Sequence, residues 1–285
     1  LNTADIADAS YRISSVEYYN TENSSFRCVN LYQTFSSSIN GLALYAISSS
    51  ESTEEAVFSY LTDTSSSCIY SVDIKEKENN IYLSFIEKIS DTEVYFYKYN
   101  LSTGELLIEE DFSTYDTLDL ERGITYGDDM QWMVIQRIPG GCVMFDISGS
   151  TATPEHRAIL STFSLSAIEI SGDNDYLILL AETSTETCSV YLYNIQDGVC
   201  QAPVASYDDN FLIKMKAADT QPIFAVFNGT NILDIYNYSG NHLHEFHLIT
   251  DNSAYFDYAF FDDSQYLITT DVSNITMWNI EQEQV

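Results

Sequence analysis

Five times along this chain a strand-like run ends in an aromatic residue, then Asn, Asp or a substitute, then an apolar residue and a turn. The instances are Tyr97-Lys98-Tyr99, Phe145-Asp146-Ile147, Tyr193-Asn194-Ile195, Tyr236-Asn237-Tyr238 and Trp278-Asn279-Ile280. Successive aromatics stand 48, 48, 43 and 42 residues apart. An interval of that size holds four short strands with their turns. Recurrence at one period implies units that bury their apolar faces on each other.

A second marker keeps the same period: a polar turn followed by a bulky residue that opens an apolar strand. It occurs as Asn79-Asn80-Ile81-Tyr82-Leu83, Asp128-Asp129-Met130-Gln131-Trp132-Met133, Asp173-Asn174-Asp175-Tyr176-Leu177, Asp219-Thr220-Gln221-Pro222-Ile223 and Asp262-Asp263-Ser264-Gln265-Tyr266-Leu267. Composition agrees, since 22 Tyr and 15 Phe against four Pro suit strands joined by turns of Asn, Asp, Ser and Thr.

Together the markers predict an all-β chain of about six four-stranded blades, a single β-propeller domain over 1–285 with blades near 11–63, 67–113, 117–162, 164–206, 210–249 and 255–285. Blade four is the best defined. Its strands run Ser164 to Ser171, Asp175 to Thr183, Cys188 to Ile195 and onward from Val199, with Asp197-Gly198 as a hairpin turn. The last blade leaves no residues for an outer strand. Either residues near Thr3 to Ala9 supply it, or the natural chain continues into further blades, seven in all.

The chain resembles the WD40 and related propeller families from about Tyr11 onward. Ser171-Gly172-Asp173-Asn174-Asp175 is similar to the family's serine-proline-aspartate-glycine turn, and Trp278-Asn279 and Phe145-Asp146 are similar to its tryptophan-aspartate ending. The Gly-His dipeptide does not occur, so the family's buried His/Asp network is not expected. What the resemblance implies is an interaction scaffold without intrinsic chemistry, although fold alone says little about function.

With 11 basic against 43 acidic residues the formal net charge is −32, which repels phosphate backbones and anionic headgroups and argues against nucleic-acid binding. Such a charge serves solubility, or a cationic partner. No apolar run of about 18 residues exists to span a membrane. Five cysteines form no CxxC pair, which excludes a zinc knuckle. A bridge between Cys188 and Cys200 needs another register than the one that sets Cys200 near Asn194. The Lys-poor, Tyr/Ser/Thr/Asn-rich composition tips the expected location to outside the cytoplasm, against the pull of the unpaired cysteines.

No hydrolase, metalloprotease or nucleotide-binding motif is present in its required context. Alternation along a strand puts His242 and His244 on one side and His247 on the other, a poor three-histidine metal site. Asp173-Asn174-Asp175 reads as a turn capped by its own side chains rather than a calcium loop. No metal or cofactor is expected. The candidate ligand site lies in loops that join outer strands to the next inner strands: Tyr115, Asp116, Tyr207, Asp208, Asp209, Asp251 and Tyr255. Aromatic faces beside carboxylates suit a cationic group or a sugar ring; the plainer alternative is polar loops without a ligand.

These observations predict a non-enzymatic module that recognises a protein, peptide or glycan, as the sensing part of a larger protein. The alternatives are a carbohydrate-active propeller enzyme with two channel carboxylates, and a structural spacer.

Overall fold

A computed structural model describes residues 11–20, 25–33, 41–46, 56–61, 67–90, 92–115, 118–120, 124–127, 130–184, 187–208, 213–229, 231–248, 257–261, 264–270 and 275–280. They form antiparallel sheets in which consecutive strands are neighbours. The first sheet holds β1 (Tyr11–Asn20), β2 (Ser25–Gln33), β3 (Gly41–Ala46) and β4 (Ala56–Leu61), and the second β5 (Cys68–Lys77), β6 (Asn80–Ser90), β7 (Glu93–Asn100) and β8 (Glu105–Asp111). The third holds β9 (Ile124–Tyr126), β10 (Trp132–Gln136), β11 (Cys142–Asp146) and β12 (Thr153–Ile159). The fourth holds β13 (Ser164–Ile170), β14 (Tyr176–Ser184), β15 (Thr187–Asn194), β16 (Val199–Cys200) and β17 (Ala205–Asp208). The fifth holds β18 (Lys214–Ala217), β19 (Ile223–Phe227), β20 (Ile232–Asn237) and β21 (His242–His247), and the sixth β22 (Asp257–Phe261), β23 (Tyr266–Thr270) and β24 (Ile275–Asn279). Among the described residues no helix is long and apolar enough to cross a membrane.

The two sequence markers are hydrogen-bonded to each other. The N–H of the apolar residue that closes the first donates to a carbonyl of the second: Leu101 to Ile81, Ile147 to Gln131, Ile195 to Asp175, Tyr238 to Pro222 and Ile280 to Gln265, at 2.7–3.3 Å. The Asn or Asp before it caps the turn. Asn100, Asp146, Asn194 and Asn237 each accept through Oδ1 from an N–H two or three residues on, at 2.8–3.0 Å. In the second marker Asn79, Met130, Asn174 and Ser264 take left-handed backbone angles, φ 53–62°, and Glu78 with Asn79 forms a two-residue turn between the paired Lys77 and Asn80.

These bonds correct one alignment. In the second sheet the capping residue is Asn100, so the marker there is Tyr99-Asn100-Leu101 and not Tyr97-Lys98-Tyr99. Lys98 is a buried strand residue.

The chain divides into two compact units, Leu1–Asp116 with Asp129–Gln131 and Asp146–Thr153, and Thr117–Asp128 with Trp132–Phe145 and Pro154–Val285. In the first unit, Cys28, Leu42 and Leu44 of one sheet pack on Ile69, Ile74, Leu83, Phe85 and Tyr97 of the next. In the second unit the sheets are layered in series. Val134, Cys142 and Met144 meet Leu165, Leu177 and Leu179. Ile178, Leu180 and Val190 on the other face of the fourth sheet meet Met215, Phe224 and Tyr236, and Phe227, Leu233 and Ile235 meet Tyr258 and Leu267. Strands buried on both faces explain why the apolar runs are continuous rather than alternating. Each fully buried Phe or Leu contributes roughly 1.5–3 kcal/mol.

The outer strand of the fourth sheet is split. Gln201 and Val204 donate to Leu192 and Val190, and between them stand Ala202 and Pro203, whose imide nitrogen has no proton for the ladder. Beyond that break β17 pairs with β15, Tyr207 opposite Cys188. Cys200 stands opposite Tyr193 and Val199 opposite Asn194.

Candidate functional site

Of the residues that the sequence nominates, Tyr115, Tyr207 and Asp208 are described; Asp116, Asp209, Asp251 and Tyr255 lie outside the described residues. Tyr115 follows β8, its ring edge-on to Phe112 with centroids 5.6 Å apart. Tyr207 and Asp208 occupy strand β17, not a loop. Alternation along that strand turns them to opposite sides: Asp208 is exposed, whereas Tyr207 is half-buried against the core shared by the fourth and fifth sheets.

The Tyr207 hydroxyl lies 2.9 Å from Asp234 Oδ2 and 2.9 Å from the Tyr236 hydroxyl. An ionised carboxylate only accepts, and Tyr207 has one proton to give. It therefore donates to Asp234, and Tyr236 donates to Tyr207. The other carboxylate oxygen, Oδ1, lies 2.9 Å from His242 Nε2, and the His242 ring meets Tyr236 edge-on at 5.1 Å. Asp234 is buried in the middle of the apolar strand β20, so all of this hydrogen bonding serves a carboxylate removed from water. Burial, then the bond to Tyr236 and the charge of Asp234, push the Tyr207 phenol well above its ordinary value; burial raises Tyr236 as well.

The arrangement depends on a β-bulge. Asp234 pairs with Glu245 and Ile235 with His244, but Tyr236 pairs with His242, leaving Leu243 as the extra residue. This corrects the expected facing of the histidines. The inserted residue reverses the side of everything before it. His242 joins Asp234, Tyr236, Glu245 and His247 on one face, and His244 shares the opposite face with Phe246. On that first face His247 Nε2 lies 2.8 Å from Glu245 Oε1, and ligand atoms of Asp234, His242 and Glu245 lie within 4.8 Å of one another. The only sequence signal for this cluster is an aspartate inside the apolar run Ile232-Leu233-Asp234-Ile235-Tyr236.

The first unit contains a related device. The Tyr60 hydroxyl donates to Oε2 of the buried Glu87 at 2.6 Å, and burial, then the bond to Glu87, drive the Tyr60 phenol far upward. Burial lifts neighbouring Tyr97 to about 12. In the same unit the Lys98 ammonium donates to the carbonyls of Met130 at 3.0 Å and Ile147 at 2.7 Å, 5.0 Å from the Tyr82 ring centroid. At the turn before β14, Asp173 Oδ1 accepts from the Ser171 hydroxyl at 2.5 Å and from the Asp175 N–H at 3.1 Å.

No family model and no curated protein matches the sequence. Among solved structures, the chain is similar to Raptor from Chaetomium thermophilum, with 12% identity and a TM-score of 0.58 over 95% of this chain and 24% of that one. It is also similar to a chain of a mitotic checkpoint complex, with 13% identity and a TM-score of 0.55 over 96% of this chain and 79% of that one. The present chain thus spans about a quarter of the length of the Raptor chain. Both neighbours are WD40 propeller proteins, and at such identity the likeness concerns architecture alone: the all-β fold of this chain is WD40-like.

Proposed function

We propose that this chain is a non-enzymatic interaction module, a propeller of about six four-stranded blades, that recognises a protein or peptide of basic character. The observation that carries this reading is the likeness to WD40 propeller proteins along 95% of the chain, one neighbour being, by its name, part of a multiprotein complex. The net charge of −32 supplies the complementarity, because an anionic surface attracts cationic segments and repels acidic ones. The proposed contact residues are Asp208, Asp209, Asp251 and Tyr255 in the second unit and Tyr115 and Asp116 in the first. Tyr207 supports β17 from beneath, since its hydroxyl is engaged by Asp234.

The test is an array of Lys/Arg-rich, neutral and acidic peptides probed with the purified chain, beside a glycan array. Basic peptides should bind selectively, and Asp208→Asn with Asp209→Asn should weaken them about tenfold, roughly 1.4 kcal/mol. Equal binding of neutral peptides, or unchanged affinity in the double variant, rejects the reading.

A further inference from the structure

We infer that Asp234, His242 and Glu245 form a site for a divalent transition metal of the zinc class on the face of β20 and β21. One imidazole nitrogen and two carboxylates are a donor set that suits Zn²⁺ and its neighbours better than Ca²⁺ or Mg²⁺, which take oxygen. The three ligand atoms already lie within 4.8 Å of one another. Bonds of about 2.0–2.2 Å in tetrahedral geometry require neighbouring ligands roughly 3.4 Å apart. The 2.9 Å contact between His242 Nε2 and Asp234 Oδ1 need open by only about 0.5 Å when a metal replaces the shared proton.

Two features distinguish the cluster from a chance grouping of surface acids. The bulge at Leu243 brings His242 to the side of Asp234 and Glu245; a regular strand would place it on the other side. The carboxylate and its neighbour are also held in place. Asp234 accepts from Tyr207 through Oδ2, leaving Oδ1 directed at His242, and Glu245 is held by His247 at 2.8 Å. Hydrogen bonds from outside the ligand set, fixing the orientation of ligating carboxylates, are what metal sites require. His242 and Glu245 are exposed while Asp234 is buried, so an ion can enter from solvent and solvent can supply the fourth ligand. Bound there, the metal links β20 to the edge strand β21 of the fifth sheet.

The experiment titrates the full chain with Zn²⁺ by calorimetry and follows its thermal unfolding, then repeats the titration with Co²⁺ and records the absorption spectrum. One equivalent of Zn²⁺ should bind and raise the melting temperature, and the Co²⁺ spectrum should lack a thiolate charge-transfer band. His242→Ala and Glu245→Gln should each weaken Zn²⁺ at least tenfold, while His244→Ala, on the opposite face, should not. Both ligand variants lie at exposed positions, and circular dichroism of each confirms folding. Undiminished affinity in both variants, absence of a saturable equivalent, or a thiolate band showing that the cysteines hold the metal would each overturn the assignment.

Discussion

Asp234 illustrates how much one side chain costs and secures in this molecule. A buried carboxylate without partners is strongly destabilising, and removing a single donor leaves a penalty of about 1–3 kcal/mol. Tyr207→Phe takes away the donor to Oδ2 and the acceptor of Tyr236 together. It should therefore destabilise the protein by roughly 1–3 kcal/mol in urea unfolding, and a loss below a few tenths would mean that the network contributes nothing. Gly172 makes the complementary point about space. A Cβ built there would stand 2.0 Å from the carbonyl oxygen of Asp219, a contact with backbone that no rotamer can relieve. Gly172→Ala should cost about 1–3 kcal/mol or more through forced movement of the two segments, read as a lowered midpoint of denaturation. The sequence makes Gly172 visible only as part of a turn; the approach of Asp219, 47 positions along, is a property of packing.

Among the elements, the hairpins are the most legible. The aromatic and Asn pattern announces turns because an Asn or Asp side chain caps N–H groups only two or three residues away, an interaction that needs no tertiary partner. The same pattern misleads in the second sheet, where Tyr95, Tyr97 and Tyr99 alternate along β7 and offer several equivalent endings; the choice falls to Asn100 because it alone caps the following turn. Facing is harder to read than pairing. The β21 bulge inserts one residue and reverses His242, and no composition rule distinguishes Leu243 as the residue to be looped out. Facing also decides energetics in the sixth sheet. Leu267 is fully buried toward the fifth sheet, whereas Ile275 is 80% exposed on the reverse face, which also carries Met277 and Phe261. Leu267→Ala should cost about 2–5 kcal/mol, and Ile275→Ser should stay within about 0.5 kcal/mol. Comparable losses in thermal denaturation would contradict the assigned faces.

Across the whole molecule, buried phenols set the response to alkali. Burial raises Tyr60, Tyr97, Tyr99, Tyr193, Tyr207, Tyr236 and Tyr258 above the ordinary value of 10.0. Below pH 10 these groups keep their protons in folded and unfolded chains alike, and their stabilisation is fully present. Above it the unfolded chain releases protons that the folded chain retains, so stability falls as pH rises through the raised values. Phenolate absorbance of the native protein should lag that of the urea-unfolded chain above pH 10, with the missing signal appearing on unfolding; superimposable titrations would refute it.

What could be read from residue order is local: strands from apolar runs, turns from Asn, Asp and Gly, and a repeat from their common interval, because each rests on contacts within a few positions. The sheets and the WD40-like architecture follow from those contacts repeated. The joining of Tyr207 to Asp234 and His242, the approach of Gly172 to Asp219 and the burial of Lys98 arise where separate sheets or loops meet. Such contacts depend on facing and on distances of a few tenths of an ångström, which one inserted residue in a strand can reverse while leaving the apolar pattern almost unchanged.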